Sequence, residues 1–188
     1  MASDPQVKGV AFRSVYASLG KLRGEAAQRA ALEAVSEQLR NAFIYRSIVP
    51  GGWYPIEQYK ELFRGILSST GEGKELLHEI GRQCTRDDMS GIYSVLAKLI
   101  SPQSLFSLSQ RLFSSYYSSG TVKMLESRPG YSHAVWSSCL GFDENMWSEV
   151  LGSCVQLLEI GGAKHVRIRV LSGGSDSDDA MEATAHWS

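Results

Sequence analysis

The sequence is poor in the residues that hold metals. Its three cysteines (Cys84, Cys139, Cys154) and four histidines (His78, His133, His165, His186) are scattered along 188 residues. None falls in a C-x-x-C, H-x-x-x-H or H-E-x-x-H spacing, so no metal site is expected. An odd, low cysteine count also argues against a disulfide scaffold and suits a reducing compartment. No run approaches the roughly 18 apolar residues a membrane span needs, and the N-terminal segment has no charged n-region followed by an apolar core, so a cytoplasmic protein is expected. Charge of either sign is not in excess either. Lys+Arg number 19 against 20 Asp+Glu, a formal net charge of −1, which supplies no global attraction to nucleic acid.

What is present is a globular composition, 43% hydrophobic with 10% aromatic residues, on a chain long enough for a single domain over residues 1–188 with a substantial core. Helical periodicity dominates about 8–118. Val10 to Leu19 and Glu25 to Phe43 read as helices, the second rich in alanine. Trp53-Tyr54-Pro55 is expected to open a third helix, with Trp53 anchored in the core and Ile56, Tyr59, Phe63 and Ile66 on its apolar stripe. Leu76, Leu77 and Ile80 carry the next, and Ile92, Val95 and Leu99 another. Ser101-Pro102 has the form of a helix start, serine at the cap and proline at the first position, for a helix with Leu105, Leu108, Leu112 and Phe113 reaching about Tyr117.

The period changes in the second part, about 119–188. Thr121 to Ser127 and Tyr131 to Ser138 alternate as strands around the turn Arg128-Pro129-Gly130. A long helix follows from Asp143 or Glu144 to the Gly161-Gly162 pair, and a closing hairpin pairs the strand from His165 to Leu171 with that of Met181, Ala183, Ala185 and Trp187. The fold class is therefore α+β, with the helical first two-thirds packed on a small antiparallel sheet of about four strands. Two C-terminal hairpins separated by the long helix build that sheet.

Motifs for chemistry are sparse. The paired glycines Gly51-Gly52, Gly161-Gly162 and Gly173-Gly174 lack the strand-to-helix setting of a phosphate loop and read as turns and caps. Asp87-Asp88 and the acidic stretch Asp176 to Asp179 lack calcium-loop spacing and read as solvated. No G-x-S-x-G elbow exists, so no catalytic residue is assigned. His133 alternates with Tyr131 and Val135 as a satisfied sheet histidine. Aromatic residues concentrate in the helical part, which suits either an apolar ligand cavity or ordinary core packing. If a cavity forms, Tyr59, Phe63, Phe113 and Tyr116 are the candidate lining. Tyr116 and Tyr117 lie about 100° apart on a helix, so only one should face inward. Phe12, Val15, Tyr16 and Leu19 share one stripe of the first helix and serve either the core or a homodimer interface.

The order V-K-G-V-A-F (Val7 to Phe12), W-Y-P-I-E-Q-Y (Trp53 to Tyr59), Y-Y-S-S-G (Tyr116 to Gly120), E-I-G-G-A-K-H-V (Glu159 to Val166) and terminal Trp187 resembles a paralogous family of myxobacterial and other deltaproteobacterial proteins whose function is uncharacterised. That family is similar in layout to the haem nitric-oxide-binding, 4-vinyl-reductase and TRAPP-subunit group, where a helical bundle packs on an antiparallel sheet around an apolar cavity. The resemblance implies a non-enzymatic, cytoplasmic sensory, regulatory or signalling module taking a small apolar or amphipathic ligand. The alternative, ranked second, is a TRAPP-like interaction subunit with a self-filled cavity, working as a homodimer or with a protein partner; an enzyme acting on a tetrapyrrole or lipid-like substrate ranks third. Two departures remove the cofactors. Where the haem-binding relatives carry Tyr-x-Ser-x-Arg, this chain reads Tyr117-Ser118-Ser119-Gly120-Thr121, with threonine for arginine. Residues 171–188, where vinyl-reductase-like domains place cysteines, contain none. No haem, no metal and no other cofactor is therefore expected.

Overall fold

The computed structural model describes residues 4–89, 101–102, 104 and 108–188. Among these, seven helices and six strands follow in the order β1 (Gln6–Lys8), α1 (Gly9–Arg23), α2 (Glu25–Glu33), α3 (Glu37–Ile44), β2 (Trp53–Pro55), α4 (Ile56–Thr70), α5 (Lys74–Asp88), α6 (Ser109–Tyr116), β3 (Thr121–Arg128), β4 (Tyr131–Ser137), α7 (Glu144–Ile160), β5 (Arg167–Gly173) and β6 (Met181–His186). The α+β class expected from the sequence is the one observed. The helix expected around Ile92, Val95 and Leu99, and Leu105 of the next, lie outside the described residues. At the start of that next helix the Ser101 hydroxyl accepts from the Ser104 amide at 3.3 Å, as an N-cap should.

Three features differ from the sequence reading. The alanine-rich stretch breaks in two because Ser36 caps α3, its hydroxyl accepting from the Leu39 amide. A two-stranded antiparallel ribbon, β1 with β2, pairs Gln6 with Pro55 and Lys8 with Trp53. Trp53 consequently lies on this ribbon, 38% exposed, with the Lys8 ammonium 4.1 Å from its ring centre, and does not anchor a helix in the core. The helix instead begins at Ile56, which is buried.

The larger sheet has the order β3-β4-β6-β5, antiparallel throughout, so each C-terminal hairpin contributes two neighbouring strands. Period-two alternation puts Ser132, Ala134 and Trp136 of β4 and Met181, Ala183 and Ala185 of β6 on the buried face. On the other face His133 is partnered by Glu182 at 2.7 Å. One continuous cluster of buried side chains joins this sheet to α1, α4, α5 and α7.

Helix α7 is buried on most of its sides because it runs between α5 and the sheet, and Asp143 caps it by accepting from the Met146 amide. Its contact with α5 is backbone to backbone. A Cβ on Gly81 would strike the Glu149 carbonyl, and one on Gly152 would strike the His78 carbonyl. Only glycine lets two helices cross so closely, and this crossing carries Glu149 into the interior.

The stripe offered as a dimer face is taken up inside the chain. Phe12, Val15 and Leu19 have no exposed surface, and Tyr16 packs on Phe43 with ring centres 4.9 Å apart. Phe12 meets Tyr59 edge-on at 4.9 Å. Phe12, Val15, Tyr16 and Leu19 thus serve the intramolecular core, because α2, α4 and α5 pack against α1 along this stripe.

Candidate ligand cavity

A cavity of about 130 Å³ lies where α1, α4, α5, α6, α7 and the sheet meet. Its wall is mainly apolar, with Phe113 and Leu112 from α6, Val122 and Trp136 from the sheet, and Val150 and Leu157 from α7. Three of the four lining residues expected from the sequence are there: Tyr59, Phe113 and Tyr116. Phe63 is not. It stacks against Tyr59 with centres 4.6 Å apart, one turn farther along α4, in the densely packed core. Tyr117 lines the cavity alongside Tyr116, against the expectation that only one would face inward. The 100° rule does not apply to the pair, since α6 ends at Tyr116 and Tyr117 has extended backbone (φ −122°, ψ 134°).

The polar part of the wall is acidic. Glu149, only 7% exposed, sits at the cavity's inner end. The Tyr117 hydroxyl donates to its Oε2 at 3.1 Å. The Ser153 hydroxyl is 3.4 Å from Oε1, yet the same hydroxyl lies 3.1 Å from the Gly81 carbonyl. One hydroxyl has one proton, and the nearer acceptor is the carbonyl, so Oε1 is the poorly served oxygen of a buried carboxyl. Burial, reinforced by the charge of Asp88, outweighs these hydroxyls and pushes the Glu149 pKa up to about 7. Asp88 stands at the exposed rim, accepting from the Tyr116 hydroxyl at 2.7 Å and the Ser14 hydroxyl at 3.3 Å.

Two thiols also face the space. Burial raises the Cys154 pKa to about 12, and burial together with Glu149 raises that of Cys84 further, so both remain protonated thiols, inert as nucleophiles. Tyr59 and Tyr117 are likewise held neutral by burial and by Glu149. No group of three or more metal-binding side chains occurs among the described residues. The arrangement can bind an apolar body and orient one polar end, and among the described residues that line it no nucleophile is activated.

Glu149 and Ser153 are not singled out by the sequence, where Asp88 reads as solvated and Tyr117 is weighed only against Tyr116 as the inward-facing ring and as the first residue of a haem-clamp position. The available signal was the run Glu149 to Cys154, where an acid stands within one turn of a glycine and two small side chains on a helix with a long apolar stripe. Gly152 marks the close approach, and an acid within one turn of such a site is drawn inside with it.

No protein-family model matches the sequence, and neither does any curated protein. Solved structures do match over nearly the full chain. An oxygen-binding H-NOX domain related to soluble guanylate cyclases superposes with a TM-score of 0.69 at 14% identity, covering 96% of this chain and 94% of that one. The Fe(II) unliganded H-NOX protein from K. algicida gives 0.70 at 11% identity, covering 96% of each. A protein from work on haem distortion in the H-NOX family gives 0.70 at 14% identity, with 96% and 94% covered. At such identities the likeness is one of fold: the chain has the architecture of H-NOX domains, the haem nitric-oxide-binding part of the layout its sequence resembles.

Proposed function

We propose that this chain is a non-enzymatic ligand-binding module of the sensory type, working in the cytoplasm, with its ligand held in the cavity between helices and sheet. The observation that carries this reading is an apolar cavity of about 130 Å³ ending on a buried, incompletely hydrogen-bonded carboxyl. Apolar walls supply affinity and a single polar end supplies orientation, which is the usual division of labour in small-molecule sites.

The H-NOX neighbours raise haem as the ligand, and the residues present do not fit it. The space is close to the roughly 150 Å³ of an engineered protein cavity that takes up benzene, a single ring, and a porphyrin is several times larger. All four histidines of the chain are described and none lines the cavity. No arginine or lysine lines it among the described residues, whereas Glu149 and Asp88 do, the wrong sign for two propionates. The ligand this site suits is of single-ring size.

Titration of the purified protein with toluene tests the reading. Saturable binding with a rise in melting temperature is expected, because a ligand that binds only the folded state stabilises it. Cys154→Phe, which fills the cavity from α7, should abolish both. Absence of saturable binding to the wild-type protein, both of toluene and of its amine analogue benzylamine, would refute the proposal.

A second reading has one specific observation behind it. Ile44 at the end of α3, and Tyr45 and Val49 in the segment between α3 and β2, are 58%, 77% and 51% exposed, close in sequence to exposed Trp53. If the module acts as an assembly subunit, this is the surface for a partner or a second copy. Sedimentation equilibrium of wild type and Tyr45→Glu distinguishes the two: a mass near twice 20.7 kDa that is lost in the variant favours association.

A further inference from the structure

We infer that the ligand is a small amphipathic amine, its apolar body against Phe113, Val150 and Leu157 and its ammonium group donating to Glu149. The inference rests on the ligand-binding reading and names the chemical class that site selects. Three observations lead to it.

The first is the sign of the lining. Its two ionisable carboxyls, Glu149 at the inner end and Asp88 at the rim, meet no lysine, arginine or histidine in the cavity wall among the described residues. The cations of α5 are engaged away from the cavity, with Arg82 on Glu159 and Arg86 on Gln156. A carboxylate or phosphate ligand would bring another negative charge into a wall that already holds two. Like charges in a poorly hydrated site repel strongly, so such ligands are rejected.

The second is the hydrogen-bond inventory. Tyr117 serves Oε2 of Glu149, while the one proton of Ser153 has the Gly81 carbonyl as its nearer acceptor. Oε1 therefore has only the long, shared Ser153 contact, and the ionised carboxylate, the form present above its pKa of about 7, can act only as an acceptor. A neutral arene leaves it unserved. An ammonium group carries three donors and a compensating charge, and a charge-assisted hydrogen bond is about twice as strong as a neutral one. Asp88 at the exposed rim, held by Tyr116 and Ser14, adds attraction along the entry path without being buried itself.

The third is size. The space is of single-ring dimensions, so the apolar body is an aryl or short alkyl group and the amine must lie within a few bonds of it. Burial raises the pKa of Glu149, and an ammonium ion beside it would lower it again, so binding of the cation and ionisation of the acid support one another.

Calorimetric titration at pH 8 with benzylamine, toluene and benzoate, on wild type and on Glu149→Gln, tests this. Benzylamine should bind wild type on the order of tenfold or more tightly than toluene, benzoate should not bind, and Glu149→Gln should erase the preference for benzylamine over toluene. Toluene binding without a benzylamine preference, or a preference that survives Glu149→Gln, overturns the amine assignment and leaves the cavity as a ligand site. If neither compound binds, both readings fall. A measurement on wild type alone guards against a misfolded variant. Lowering the pH from 8 to 6 protonates Glu149, so the benzylamine preference over toluene should shrink. Among the described residues the other titratable groups facing Glu149 are Asp88, Tyr59, Tyr116, Tyr117, Cys84 and Cys154, and the burial-raised phenols and thiols do not ionise in that range. A preference independent of pH would overturn the assignment as well.

Discussion

Two aromatic regions of the molecule, joined through Tyr59, are built differently. On the side of α1 and α4, Phe12, Tyr59 and Phe63 interlock with ring centres 4.6 to 4.9 Å apart, and Leu62 and Ile66 beside them have no exposed surface. On the side of α5, α6 and α7, Phe113, Tyr117 and Phe142 are associated at 4.8 to 5.8 Å, yet Phe113 and Tyr117 border open space. Aromatic density does not make a cavity. The second region differs in having α5 and α7 in backbone contact through Gly81 and Gly152, which brings a carboxyl and two small thiols where large apolar side chains would otherwise meet.

The contrast breaks most visibly at the packed end. Phe63→Ala removes a ring with no exposed surface from a core that has no slack, and about 4 kcal/mol of stability should be lost in denaturant melts. Phe113→Ala should cost less, on the order of 2 kcal/mol, because one side of that ring already faces the cavity and lacks partner atoms to lose. Equal losses would show that the cavity is closed in solution by its own side chains.

Glu149 gives the next largest effect. Its pKa is about 7 in the folded protein against an ordinary 4.5, so between those values the folded state binds more protons than the unfolded chain. Stability should then fall as pH rises from about 4.5 to about 7, by on the order of 3 kcal/mol. Glu149→Gln should flatten that part of the stability profile, since the amide oxygen still accepts from Tyr117 and nothing titrates. An unchanged slope would place the acid in water.

These differences explain what the sequence disclosed. Strands β3 and β4, their turn and the start of α7 are written in short-range patterns, alternation around Pro129-Gly130 and an acidic cap at Asp143, and the structure follows them within a residue. The β1–β2 ribbon is three residues long on each side and pairs segments far apart in the chain, too short for alternation to register. Stripe logic found Tyr59, Phe113 and Tyr116 because cavity walls and cores share the same apolar periodicity. For that reason it could not separate Phe63 from them, or assign Phe12 and Leu19 to the interior. Glu149 escaped because an isolated acid reads as solvated, and only the tertiary crossing at Gly81 and Gly152 buries it.

Adding volume sharpens the comparison where removing it breaks it. Cys154→Phe places its ring in existing space and should change stability by about 1 kcal/mol or less while removing toluene binding. Ala31→Phe, at a position with no exposed surface where α2 meets α4, must displace its neighbours and should cost more than about 3 kcal/mol. Similar costs at the two sites, measured by urea denaturation, would mean that both ends are packed alike.

The smallest effect belongs to Trp53. From its sequence setting, two aromatics before a proline, it would be a core anchor, and truncation would then cost on the order of 3 kcal/mol. In the structure it lies 38% exposed on β2, and its defined partner is the Lys8 ammonium over its ring. An exposed cation–π contact contributes about 0.5–1 kcal/mol, and the ribbon's main-chain pairing of Lys8 with Trp53 does not depend on the side chain. Trp53→Ala should therefore cost about 1 kcal/mol or less, and Lys8→Met, which removes the cation of the same contact, should by itself reproduce most of that loss. If Trp53→Ala instead costs as much as Phe63→Ala, the ribbon is part of the packed core, and the exposed surface of Ile44, Tyr45 and Val49 next to it in sequence loses its claim as a site for a partner.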